Sequence, residues 1–365
     1  MNKNKEKNKA TLRSSIILLF LIAILLISST YAWFTANRTV TISTIDVNVA
    51  ASNGIQISTN GTDWKALITN EDITTYAYAG NVNQFPASMV PVSSAGEIDS
   101  STGYMNMYYG VVEANGNGIN ALTASQETDA AGTTGKYVAF DVFLRVDADS
   151  DLYMTTESNV VFKSTAQQTT DIFGLKNAAR VAFCVEGNVA AGSTVGQMSA
   201  LKGAVSHGAT GSTVYIWEPN YDVHTSAGVA AANDTYGITT SVGPNASAIS
   251  YFGVKDDIES PIILSQTYTY TYDNEGTPAQ ANPDANYFKA VTTDYKTKET
   301  QPTYTQVFRL ASGITKVRIY MWVEGQDVDC ENNASGSNIS FNVQLSLNSE
   351  PPTTTQAAAT PTPTP

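Results

Sequence analysis

Apolar and polar residues alternate with a period of two along most of this chain, which predicts strands rather than helices. The clearest run is residues 137–146, with Val138, Phe140, Val142, Leu144 and Val146 on one face and Asp141 and Arg145 on the other. That is the pattern of a half-buried strand. A second regular series, Ile339, Phe341, Val343, Leu345 and Leu347, lies near the end of the chain. Near its start, Val40 and Ile42 are followed by Ile45, Val47 and Val49 after a phase slip at Thr44, which predicts one long bulged strand. Shorter apolar stretches at 55–58, 64–68, 160–162, 181–185, 214–217 and 317–323, together with Val307, supply further strands, and Asn60-Gly61 is a turn that makes a hairpin of the first two. Residues 171–179 predict one or two helical turns. Gly, Ser and Asn clusters make 95–135 and 188–260 long loop excursions, the first interrupted by an apolar patch at 104–112. The whole reads as an all-β, antiparallel β-sandwich over residues 33–349 with long loop insertions.

Two strand ends echo each other: Arg180-Val181-x-x-x-Val185-Glu186-Gly187 and Arg318-Ile319-x-x-x-Val323-Glu324-Gly325. Two copies are too few for a solenoid, and the echo suggests equivalent strands in two sheets.

The first 34 residues break the strand pattern. Lys3, Lys5, Lys7, Lys9 and Arg13 precede an unbroken apolar run of 12 residues, 16–27, followed by Ser-Ser-Thr-Tyr-Ala. That order is an export signal: a basic segment held in the cytoplasm, a hydrophobic helix short of the ~20 residues of a membrane span, and small residues at a cleavage site between Ala32 and Trp33. The alternative is an uncleaved anchor that touches the membrane through residues 16–34. At the other end, residues 350–365 are a disordered Pro/Thr-rich tail that favours an extended, hydrated polyproline spacer.

Charge narrows the partners. The chain carries a formal charge of −13, and losing residues 1–32 removes five basic residues and one acid, leaving 15 Lys/Arg against 32 Asp/Glu and a charge of −17. Nucleic acid is excluded as an expected partner, while cations and basic partners are left open. The two cysteines, Cys184 and Cys330, form either one long-loop disulfide, permitted by export, or two separate buried thiols.

No catalytic signature is present. The only histidines, His207 and His224, have no HExxH context, and there is no GxSxG elbow. Asp147, Asp149 and Asp151 alternate after a strand, and Glu324, Asp327, Asp329 and Glu331 cluster after another. Either loop is a candidate calcium site because a hard cation takes clustered carboxylate oxygens, although Leu152 and Ser158 break the EF-hand pattern. The alternative is an acidic turn in water. Tyr268, Tyr270 and Tyr272 would line one side of a strand, as a sugar-stacking face or as plain sheet cover.

The string Ser29-Thr30-Tyr31-Ala32-Trp33-Phe34-Thr35, followed by a Thr/Val/Ile strand, resembles the signal and leading strand of TasA/camelysin-like exported proteins of Gram-positive bacteria. The resemblance covers about residues 12–50. It implies processing by a SipW-type signal peptidase, a jelly-roll-like sandwich, and extracellular matrix or biofilm fibres in which each subunit donates its N-terminal strand to the next. Camelysin-type members are classed as metallopeptidases, but no residue here accepts a zinc site from them. The expectation is therefore a secreted or surface-associated, non-enzymatic structural protein that self-assembles into fibres. Alternatives are a module that binds surface glycans and, third, a peptidase. In a single-subunit arrangement the same leading strand pairs within its own sandwich.

Overall fold

Two six-stranded sheets face one another across an apolar layer in the computed structural model, which describes residues 45–52, 54–114, 120–164, 171, 174–225, 251–263, 270–272, 278–281, 285–300, 302–327, 329–330 and 338–349. The first sheet runs Thr305–Leu310, Ser150–Met154, Ile339–Ser346, Ile45–Ser52, Leu67–Ile68, with Asn159–Phe162 also paired to Ile339–Ser346. The second runs Tyr295–Thr297, Val214–Pro219, Ala179–Val189, Gly313–Val323, Val138–Val146, Gln56–Ser58. Val47, Val49, Phe341 and Val343 of the first sheet share one core with Val142, Phe183, Val317 and Ile319 of the second. Each such side chain contributes roughly 1.5–3 kcal/mol by leaving water.

The pairing is not wholly antiparallel. Ile45–Ser52 runs parallel to Ile339–Ser346 in an unbroken register of eight pairs, from Ile45 opposite Ile339 to Ser52 opposite Ser346. Trp217–Pro219 also pairs in parallel with Tyr295–Thr297. The first described strand thus lies along the last one. On its other side lie Leu67 and Ile68, the Ala66 carbonyl, which accepts from the Ala51 N–H, and Asn70 Oδ1, which accepts from the Val47 N–H.

The second sheet is buried on both faces, which the alternation at 137–146 does not suggest. Val92, Ala95, Met105, Met107, Tyr137, Tyr251 and Val291 cover its outer face and form a second core with Ala182, Cys184, Ile216, Tyr320 and Trp322. Asp141, expected in water, is therefore 1% exposed. All eleven residues of Gly313–Val323 are buried, consistent with its near-continuous apolar run. The cover comes from a segment expected as irregular loop: Met107–Ala114 and Asn120–Glu127 form an antiparallel hairpin of eight register pairs, joined by Ile258–Ile263. Tyr251–Val254 pairs with Phe288–Val291 and lies directly on the 93–95 backbone. An added Cβ at Gly253 would fall 2.3 Å from the Ser94 carbonyl oxygen, so only glycine fits there.

Two smaller expectations are also corrected. Lys65 bridges to Ile57, but Leu67–Ile68 pairs with the leading strand rather than completing a hairpin with 55–58. The echoing strands lie in one sheet, as antiparallel neighbours with Arg318 opposite Cys184 and Arg180 opposite Trp322. The helical turn expected in 171–179 is the 3₁₀ helix Leu175–Ala178. Residues 1–44 and 350–365, with the leader, the Ala32–Trp33 junction and the Thr/Pro tail, lie outside the described residues. Among the described residues no helix is long and apolar enough to cross a membrane.

Candidate functional site

The doubly covered sheet carries two ionic clusters on its outer face. In the first, Lys316 and Arg318 project from the central strand, Asp141 from Val138–Val146 and Glu186 from Ala179–Val189. Arg318 Nη1 donates to Asp141 Oδ1 at 2.7 Å, and its Nη2 donates to Asp129 Oδ2 at 2.6 Å. Three tyrosine hydroxyls complete the carboxylates: Tyr78 donates to Asp141 Oδ2 at 2.6 Å, Tyr320 to Asp129 Oδ2 at 2.8 Å and Tyr137 to Asp129 Oδ1 at 2.5 Å. Lys316 Nζ sits 3.3 Å from Asp141 Oδ2 and donates to the Ser199 and Leu201 carbonyls at 3.2 and 2.9 Å. The Tyr104 ring stacks 4.4 Å from the Arg318 guanidinium. Burial opposes the charged form of Asp141, yet Arg318 and Lys316 hold its pKa below the usual carboxylate value.

Glu186 is the odd member. The register slips between Lys316–Gly187 and Val317–Val185, so Glu186 is the extra residue of a bulge, and Gly187 takes φ +137° beside it. Its carboxyl is buried and neither oxygen has a hydrogen-bond partner. Burial above all, with Asp141 adding to it, raises its pKa to about 7 against the pull of Lys316 and Arg318. A cleft of about 260 Å³, lined in part by Tyr78, Thr102, Tyr104, Lys202 and Lys316, opens beside this cluster.

The second cluster centres on Arg180. Its Nη2 contacts Glu218 Oε1 at 3.1 Å and Asp327 Oδ2 at 2.5 Å. Glu324 accepts from Trp322 Nε1 and from the Gln326 N–H, each at 3.0 Å, and burial raises its pKa to about 7. Asp329 meets His224 Nδ1 at 2.7 Å and accepts from the Thr225 N–H at 2.8 Å. Burial lowers the His224 pKa, but the Asp329 contacts outweigh it and raise the group overall. The sequence echo maps onto these clusters: Arg318 lies among the charges around Glu186, and Arg180 among those around Glu324.

Among the described residues the candidate calcium ligands do not gather into one group. Asp147 accepts from Ser312 Oγ through its backbone carbonyl, Asp149 Oδ1 accepts from the Ser312 N–H, and Asp151 pairs with Arg309 at 3.0 Å on the surface. Glu324, Asp327 and Asp329 are buried and already bound to protein donors, and Glu331 lies outside the described residues. Among the described residues no three His, Cys, Asp or Glu side chains gather as a metal-ligand group. Cys184 and Cys330 are both buried, belong to different cores, and are not joined by a disulfide. Tyr268 and the side chains of Tyr270 and Tyr272 lie outside what is described. The pairing of His224 with Asp329, 105 positions apart, had no local signal in the sequence.

These buried groups set the pH dependence of stability. A carboxyl raised from about 4.5 to about 7, as at Glu186 and Glu324, binds more protons folded than unfolded, so stability falls as pH rises through that window. His224, raised when folded, acts in the same direction above the ordinary histidine value of about 6.5. Urea midpoints should therefore drop between pH 5 and pH 8, by up to about 3 kcal/mol for each raised carboxyl. A midpoint that climbs over this range would contradict the assignment.

No family model, curated protein or solved structure matches this chain.

Proposed function

We propose that this chain is an exported structural protein of the cell surface or extracellular matrix, built to carry load between its two ends. The observation that carries the reading is the parallel pairing of the first and last described strands. Chain entering at Ile45 and chain leaving at Ser346 sit at opposite ends of one eight-pair ladder. Tension between them pulls the strands along their own axes, so the pairs share the load instead of opening one at a time. The basic and apolar leader and the charge of −17 after its removal support export and solubility outside the cell.

The jelly-roll description and fibre assembly belong to the same proposal and rest on the likeness of residues 12–50 to TasA/camelysin-like proteins. Val47 and Val49 lie in the core of their own subunit, so the donated segment in this proposal is narrowed from residues 33–49 to residues 33–44. Electron microscopy of the processed protein at raised concentration tests this. Filaments are expected from the full processed chain, and deletion of residues 33–44 should leave folded monomers. Filaments unchanged by that deletion would remove strand donation.

A further inference from the structure

Lys316, Asp141 and Glu186 form an arrangement that a structural ion pair does not require. Three adjacent strands place a lysine between two carboxyls: Asp141 on one side of the central strand, Lys316 on it, and Glu186 on the other side. All three are nearly dry, at 1%, 5% and 3% exposed. The cluster around them holds two cations, Lys316 and Arg318, against three carboxyls, Asp129, Asp141 and Glu186. The four charges without Glu186 already balance. Glu186 is a buried acid without a hydrogen-bond partner, put there by a bulge whose neighbouring glycine takes a left-handed φ.

We propose that Lys316 and Asp141 condense to an intramolecular amide, with Glu186 carrying the protons. Nζ, 3.3 Å from Oδ2, adds to the Asp141 carboxyl carbon. Arg318 Nη1, 2.7 Å from Oδ1, stabilises the negative charge that forms on that oxygen. The Tyr78 hydroxyl, 2.6 Å from Oδ2, marks that oxygen as the leaving one. The ammonium gives up two protons, Oδ2 receives two and departs as water, and the Cγ–Oδ2 bond is replaced by Cγ–Nζ. Neither Glu186 oxygen is hydrogen-bonded to Lys316 Nζ in the structure; in the proposed step the side chain turns to Nζ, takes protons from nitrogen and returns them to oxygen, so it ends unchanged, and no oxidant or activated co-reactant is needed. Amide condensation fails in bulk water because water competes. Groups held in contact in a dry site reach effective concentrations on the order of 10⁵–10⁸ M, which reverses that competition. The cleft lined by Tyr78 and Lys316 gives the released water a way out.

The product removes one buried positive and one buried negative charge and leaves Arg318 facing Asp129 alone. It also ties the strand Val138–Val146 covalently to Gly313–Val323. Residues between 141 and 316 would then no longer extend when the protein is pulled, which suits the load-bearing reading but does not depend on it.

Mass spectrometry of the full chain decides the matter. Tryptic mapping should return the Asp141 peptide joined to the Lys316 peptide, lighter than their sum by one water and uncut after Lys316. Fragmentation must place the join on those two side chains, which separates it from an internal cyclisation of aspartate. Recovering both peptides separately at full mass would show an ion pair only and overturn the proposal. Lys316→Arg keeps the charge and should abolish the linked species. Glu186→Gln, with folding verified by circular dichroism and a cooperative melt, should slow linkage by about 10²-fold or more. Linkage at the original rate in that variant would overturn the role of Glu186.

Discussion

Arg318→Ala should cost about 3–5 kcal/mol, the largest loss expected from any single replacement outside the apolar core. The guanidinium is fully buried and joins Asp129, Asp141, the Tyr320 hydroxyl and the Val82 carbonyl. Removing it leaves Asp129 in a dry interior without a cation and Asp141 with Lys316 alone, so most of the charge that offsets their desolvation is gone. Against a typical total of roughly 5–15 kcal/mol, that loss unfolds a large fraction of the protein. Arg318→Met should do little better, because side-chain volume is not what the site lacks. Combining it with Asp129→Asn alone should recover much of the loss, since Asp141 keeps Lys316 as its partner and no aspartate is left without a cation. Urea unfolding measures all of these, and a cost below about 1 kcal/mol for Arg318→Ala would mean that the pair behaves as a solvated surface bridge.

Deleting residues 45–52 should abolish cooperative folding, whereas deleting only 33–44 should leave the fold intact. The longer deletion removes Val47, Val49 and Ala51 from the main core. The two valines alone contribute roughly 1.5–3 kcal/mol each. It also strips Ile339–Ser346 of eight register partners and Leu67–Ile68 of the strand it pairs with. An unpaired apolar edge invites aggregation, so the expected product is insoluble or molten protein. A sharp melt after removal of 45–52 would show that this strand is an accessory to the sandwich rather than part of it.

Much of the sheet structure was legible because burial imposes a period of two. Ile339 to Leu345 and Val138 to Val146 read as strands, and their inward residues were the ones identified from alternation. The outer face of the second sheet was not legible. Alternation assigns a polar residue to water unless something else covers it, and the cover at Asp141 comes from distant segments, 83–137 and 251–291. Two signals pointed the right way. Gly313–Val323 is apolar on both sides except for Thr315, Lys316 and Arg318, which is how a strand buried on both faces reads. The repeated Arg-to-Glu-Gly spacing marked the two ion clusters, although neither copy says that the strands are neighbours. The parallel pairing of the first and last described strands lay beyond local pattern altogether, because strand direction within a sheet leaves no trace in alternation.

Single-molecule pulling tests the load-bearing claim most directly. One handle enters at Ile45 in both experiments, and the other is attached either after Ser346 or at Lys163, whose N–H bonds Asn338 at the Ile45 end of the ladder. The first geometry shears eight pairs together and should require a clearly higher unfolding force than the second, which opens them in turn. Equal forces in the two directions would contradict the account.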